Sequence, residues 1–171
     1  VGKPLAVIGI DPGVKGAICL LAPRSQQMAF LETTTPAAEL YDWFQRAKSE
    51  TDLAVCMVEK VGAIHGTASN TTFAFGRSLE RMEILPEICR ISLDRVPPKK
   101  WQKFIGLVVP QRLTGASNAG KRKTFIKNEV ATIATRLYPE APIRGPRGGL
   151  LDGRSDALMI AHYAARTINL N

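Results

Sequence analysis

The chain has little cysteine, and what it has is dispersed. Cys19, Cys56 and Cys89 are its only three, they form no CxxC pattern, and each lies in apolar surroundings. That spacing argues against a zinc or redox centre and reads as reduced core residues of an intracellular protein. Long hydrophobic runs are lacking as well. None approaches the roughly 20 apolar residues that a membrane-spanning helix needs, so no membrane role is expected. There is no internal repeat, no low-complexity tract and no obvious linker, so 1–171 is expected to form a single domain. No secretory leader is visible after Val1.

Acidic residues are scarce too. Fifteen Asp and Glu stand against 23 Lys and Arg, a net charge of +8, which favours a polyanionic partner. The imbalance is local. From Arg95 to Lys127 there are nine basic residues (Arg95, Lys99, Lys100, Lys103, Arg112, Lys121, Arg122, Lys123 and Lys127) and no acid. A solvated face usually mixes signs, so this stretch reads as a phosphate-contact surface, with a merely soluble basic face as the alternative. Arg144, Arg147 and Arg154 lie further on. Gly145, Gly148 and Gly149 among them would let backbone approach a phosphate.

What is present is a strand-rich first third. Leu5–Ile10, Ala17–Leu21 and Gln27–Thr33 are apolar runs separated by the turns Asp11–Gly16 and Pro23–Ser25, a meander by strand and turn signals. Pro36 opens a helix to about Lys48, with Leu40, Trp43, Phe44 and Ala47 on one face. Leu53–Val58 reads as a buried strand, Asn70–Cys89 as a helix, Arg90–Val96 as a fifth strand, and Lys99–Ile105 as a short helix. Gly120–Leu137 and Asp152–Thr167 read as longer helices. A meander followed by alternating helix and strand gives an α/β domain with a mixed central sheet flanked by helices.

Four of the few acids fall at element ends. Asp11 closes the first strand, Glu59 closes the fourth, and Asp152 and Asp156 open the last helix. Sites in such sheets form at the carboxyl ends of strands, so Asp11 and Glu59 share a crevice if their strands are parallel neighbours. Asp152 and Asp156, four apart, share a helical face. Singly each has a plain reading: a turn residue, a solvated acid, or a cap and dipole partner at a helix start. Together they suggest a hard divalent cation, because buried acids need a partner and Mg²⁺ prefers carboxylate oxygens. Two such ions about 3.5–4 Å apart would activate a water and stabilise the leaving oxygen in phosphodiester hydrolysis.

Ile8-Gly9-Ile10-Asp11-Pro12-Gly13, the strand-terminal Glu59 and Asp152-Gly153-Arg154-Ser155-Asp156-Ala157-Leu158 resemble the RuvC-type Holliday junction resolvases, of the RNase H-like (retroviral integrase) superfamily. The likeness runs in order along nearly the whole chain. It extends to the basic segments Pro98–Gly106 and Thr114–Lys121. It implies an RNase H-like fold and a homodimer that binds four-way DNA junctions. It also implies paired symmetric nicks made with Mg²⁺, or Mn²⁺ in its place, leaving 5′-phosphate and 3′-hydroxyl ends. By motif position Asp11, Glu59, Asp152 and Asp156 would be the metal ligands, and Lys121 resembles a basic catalytic residue near the scissile phosphate. The last two acids are four apart where the family's bacterial enzymes commonly space them by three. An insert, Val108–Leu113, precedes Thr114-Gly115, and the loop Val61–Ser69 departs from the usual pattern. A divergent branch is therefore expected, phage or organellar. The expected compartment is the cytoplasm of a bacterium or phage-infected host, or an organelle if a targeting segment has been removed.

The expected DNA contacts are Lys99, Lys100, Lys103, Arg112, Lys121, Arg122, Lys123, Arg147 and Arg154. Phe73 and Phe75 would stack on unpaired bases or else pack in the core or a dimer interface. Ile64 and His65, at a loop tip, could probe the junction centre, though His65 reads first as a lone exposed loop histidine. His162 reads as a packing or surface residue, and Trp101 as a pin for its short helix, with stacking on DNA as the lesser reading. Three other readings compete. One is a different RNase H-like nuclease, acting on RNA–DNA hybrid or on branched or unstructured DNA. The second is the phosphate loop of a sugar kinase or actin fold, which Asp11–Gly16 also resembles but which needs two lobes and more chain. The third is a non-catalytic junction binder, for which four acids facing phosphate would be a disadvantage.

Overall fold

The structure, a computed structural model, describes residues 2–61 and 69–168. Strands β1 (Leu5–Ile10), β2 (Ala17–Ala22) and β3 (Gln27–Glu32) form the antiparallel meander. Strands β4 (Asp52–Glu59) and β5 (Leu93–Val96) add to β1 in parallel, giving a five-stranded sheet in the order β3-β2-β1-β4-β5. The helices are α1 (Ala37–Glu50), α2 (Ser69–Ile88), α3 (Pro98–Phe104), α4 (Ala119–Leu137) and α5 (Asp152–Thr167). Two short 3₁₀ turns, Gln111–Leu113 and Ala116–Asn118, lead into α4.

The uninterrupted apolar run of β1 reflects cover on both faces of the sheet. Ile8 and Ile10 point into a core with Ile18, Cys56 and Val58, closed by Leu40, Trp43 and Phe44 of α1 and Met82 and Leu85 of α2. Val7 points the other way, with Cys19, Leu21, Val55 and Met57, under α4, α5 and Trp101 of α3. All three cysteines are free and buried, as their surroundings suggested.

Helix α5 lies across β1, β2 and β4. Gly9 makes this crossing close: a Cβ there would lie well inside 3 Å of the Ala157 carbonyl and the Ala161 amide. The start of α5 meets the β1–β2 turn through the pair Gly16 and Gly153, where a Cβ on Gly153 would lie 2.5 Å from the Lys15 carbonyl oxygen.

Strand β5 begins at Leu93, later than the expected Arg90. Arg90 takes a left-handed φ of 54°, and the Ile91 amide donates back to the Pro86 carbonyl at 2.9 Å. This closes α2 with a reversed turn, and extended backbone can start only after it. Helix α2 is lightly buried: Met82, Leu85 and Pro86 are its buried residues, and Phe73 is 70% exposed.

Candidate active site

Parallel pairing of β1 with β4 sets Ile10 opposite Val58, and so brings Asp11 level with Glu59. The expected condition for a shared crevice is met. Helix α5, seated by Gly9 and Gly153, carries Asp152 and Asp156 to the same edge.

The four acids bear on one another. Asp156 is the hub. Burial holds its carboxyl well above the usual carboxylate range, and the charges of Asp11, Glu59 and Asp152 add to this against the opposing Lys127. Asp11 is pushed up to about 6, chiefly by burial, with a Gly13 amide hydrogen bond opposing and Asp152 adding to the rise. Its Oδ1 accepts that amide at 3.0 Å. Glu59 is pushed up to about 7, again mainly by burial, while a hydrogen bond from Trp101 opposes. The Trp101 Nε1–H donates to Glu59 Oε1 at 2.9 Å, and the indole is fully buried. Trp101 therefore does more than pin α3, and stacking on DNA is closed to it. Asp152 sits in the first turn of α5 but is not its cap. Leu151 occupies the N-cap position, and the Asp152 carboxylate instead forms an ion pair with Lys127.

Lys127 is the basic residue that sequence reasoning did not single out. It faces Asp11, Asp152 and Asp156 from α4. Lys121, expected in this role, is exposed near the start of α4. Six residues along a helix separate two side chains by roughly 9 Å of rise and about 120° of rotation, so the two lysines serve different faces. Nothing in a run of nine basic residues marks Lys127 in advance.

Among the described residues, no three His, Cys, Asp or Glu side chains close tightly enough around one point to form a ready metal cage. Lys127 holds Asp152, and Trp101 holds Glu59. The donor set nevertheless suits a hard divalent cation. All four groups are carboxylates, and three of them are held against ionisation by burial and mutual repulsion, which a bound cation would relieve.

Of the expected DNA contacts, Lys99, Lys100, Lys103, Arg112, Lys121, Lys123 and Arg147 are exposed. Two are otherwise engaged. The Arg122 guanidinium donates to the carbonyls of Leu113, Thr114 and Gly115, tying the 3₁₀ turns to α4. Arg154 donates to Glu32 Oε1 at 2.7 Å and to the Pro142 carbonyl at 3.1 Å, and lies over the Phe30 ring. It fastens α5 to the sheet edge, a structural tie that the sequence did not announce. Phe73 is at the surface rather than in the core of this chain, and Phe75 is half-buried. His162 packs as expected, its Nδ1 2.8 Å from the Tyr138 hydroxyl. Ile64 and His65 lie outside the described residues.

A solved structure shares this architecture. The chain aligns with Thermus thermophilus RuvC, solved in complex with a Holliday junction substrate, over 98% of its own length and 96% of that chain. The TM-score is 0.60 and the sequence identity 15%. A second Thermus thermophilus RuvC structure aligns over 95% and 96% of the two chains, at a TM-score of 0.49 and 18% identity. No protein-family model matches the chain, and no curated protein matches it. The meander, the two parallel strands and the flanking helices thus match the RNase H-like fold of the junction-bound RuvC.

Proposed function

We propose that the protein is a structure-selective endodeoxyribonuclease that resolves four-way DNA junctions. The observation that carries this reading is the acid cluster. Asp156 faces Asp11, Glu59 and Asp152 at the carboxyl edge of β1 and β4, on a fold shared with a RuvC solved on a junction. Asp11, Glu59, Asp152 and Asp156 would hold Mg²⁺, with Mn²⁺ as a substitute. Bound there, the cation supplies water activation and neutralisation of charge on the phosphate oxygens.

The chain's own groups have separable roles in this reading. Lys127 offsets the negative charge of the acids and stands beside the phosphate they would face. Lys99, Lys100, Lys103, Arg112, Lys121 and Lys123, all exposed on α3, α4 and the segment between them, grip the DNA backbone. Phe73, Ile84 and Ile88 are exposed on α2. Residues 11 apart return to nearly the same azimuth on a helix, and residues four apart stay on one stripe, so these three share one mixed seam, with the exposed charges of Arg77 and Glu80 between Phe73 and Ile84. That seam suits a homodimer, whose two-fold symmetry matches paired nicks on a four-way junction. The products carry 5′-phosphate and 3′-hydroxyl ends.

The test is cleavage of a labelled synthetic four-way junction with Mg²⁺, beside a linear duplex and an RNA–DNA hybrid. Paired nicks on opposite junction strands are expected, with the duplex spared. Asp11→Asn should abolish them and leave junction binding intact or tighter, since a carboxylate facing phosphate is gone. Cutting of the hybrid or duplex in preference to the junction would replace this reading with a general RNase H-like nuclease.

A further inference from the structure

Asp11 sits on a turn whose geometry is fixed from outside. Three donors converge on the Gly13 carbonyl. The Gly16 amide lies at 2.8 Å, the Thr33 hydroxyl at 2.8 Å and the Ser78 hydroxyl at 3.3 Å. The first belongs to the turn itself, the second follows β3, and the third belongs to α2. The amide of the same Gly13 donates to Asp11 Oδ1. Gly13 therefore transmits position, with its carbonyl held by two remote side chains and its N–H holding the carboxylate.

Thr33 is suited to such a task. It is only 3% exposed, and its own amide donates to the Gly16 carbonyl at 3.1 Å, so backbone and side chain clamp the turn together. Helix α2 grips the assembly at a second point. One turn beyond Ser78, the Arg81 guanidinium donates to the carbonyls of Thr33 and Thr35. The N-terminal half of α2, with Phe73 on its surface, has no buried residue. In the resolvase reading this half meets DNA or a second copy, and any shift there acts directly on Gly13.

We propose that Thr33 and Ser78 are positioning residues for Asp11, fixing the Gly13 carbonyl so that its amide stays on the carboxylate, and that through Ser78 helix α2 governs this placement. A purely structural role would lower stability and leave metal affinity alone. A positioning role changes what Asp11 can hold. Loss of one such hydrogen bond corresponds to a factor of ~10, and the longer Ser78 bond to ~3.

The experiment compares wild type, Thr33→Val, Thr33→Ser, Ser78→Ala and the Thr33→Val/Ser78→Ala double variant. Mn²⁺ affinity of the free protein is read by electron paramagnetic resonance, and kcat and junction Kd are read separately. Thr33→Val should weaken Mn²⁺ binding and lower kcat by ~10-fold each, with junction Kd little changed, and Thr33→Ser should restore both. Ser78→Ala should lower kcat by ~3-fold, and the double variant should lose less than the product, since both hydroxyls act on one carbonyl. Wild-type Mn²⁺ affinity and kcat in Thr33→Val, or a Thr33→Ser as impaired as Thr33→Val, would overturn the inference. It rests on the resolvase reading, and the two failures differ. A wild type that neither binds Mn²⁺ nor cuts junctions defeats that reading and the inference with it. A wild type that does both, matched by Thr33→Val, defeats only the inference.

Discussion

Replacing Glu59 with Gln should strengthen the metal-free fold while removing activity. The carboxyl titrates near 7 in the folded chain against an ordinary value of 4.5. At 1.36 kcal/mol per pKa unit, that difference is roughly 3 kcal/mol. Its sign follows from which state holds the proton. Below pH 4.5 both folded and unfolded Glu59 are protonated and the shift has no effect on stability. Between pH 4.5 and 7 the folded state keeps a proton that the unfolded state has released, so stability falls as pH rises. Above 7 the full cost of the buried charge is present. Gln has nearly the same shape, never ionises, and its amide oxygen can still accept from Trp101 Nε1. In EDTA at pH 8, Glu59→Gln should therefore unfold at a temperature about 6–12 °C higher than wild type, taking 2–4 °C per kcal/mol for a chain of this size. At pH 4.5 the two should nearly coincide. Mg²⁺ at pH 8 should raise the wild type more than the variant, since only the wild type gains a ligand carboxylate. Thermal melts at both pH values, with and without Mg²⁺, provide the assay. A variant less stable than wild type at pH 8, or a gap of equal size at pH 4.5 and 8, would refute the account of Glu59 as a buried charge.

Two further predictions concern neighbours of the cluster. Lys127→Ala removes the ion pair with Asp152 and a favourable charge near Asp11 and Asp156. It should lower kcat and move the acid limb of the pH–rate profile upward, whereas Lys121→Ala should weaken junction binding and reduce the salt slope by ~0.9 with little change in kcat. Kinetics and salt titrations on both variants check the assignment, and an exchange of the two phenotypes would restore Lys121 to the site. Gly9→Ala drives a methyl into the backbone of α5 and should destabilise the fold by roughly 2–3 kcal/mol in urea titration. A Gly9→Ala protein as stable as wild type would mean that α5 can lift from β1 at no cost.

What was legible in the sequence is what local pattern controls. Asp11 and Glu59 end apolar runs, and Asp152 and Asp156 open a periodic one, so their elements could be read before their neighbours were known. Parallel pairing of β1 and β4 then made one crevice of them. What was not legible depends on contacts between distant segments. Lys127 differs from its basic neighbours only by the face of α4 it occupies. Trp101 reaches Glu59 across 42 residues. A buried indole N–H needs an acceptor, which was the one signal available, but it names no partner. Arg122 and Arg154 read as DNA contacts because their composition is that of a phosphate surface. The carboxylate that engages Arg154 lies 122 residues away, and the carbonyls that engage Arg122 are offered only once the nearby 3₁₀ turns have formed. The late start of β5 has a local origin instead, since the closure of α2 is set by the left-handed φ of Arg90, a residue type that does not announce that conformation.

The close seat of α5 on Gly9 also bears on when the proposed nuclease site would become complete. Asp11 and Glu59 are synthesised early, while Asp152 and Asp156 arrive with α5. A chain still on the ribosome that has not yet made α5 lacks half the acid cluster and the helix that covers β1, β2 and β4. In the resolvase reading, phosphodiester-cutting capacity would thus be withheld until one face of the sheet has been sealed. On that reading a partly made or partly unfolded molecule could hold nucleic acid through its basic surface but would not cut it.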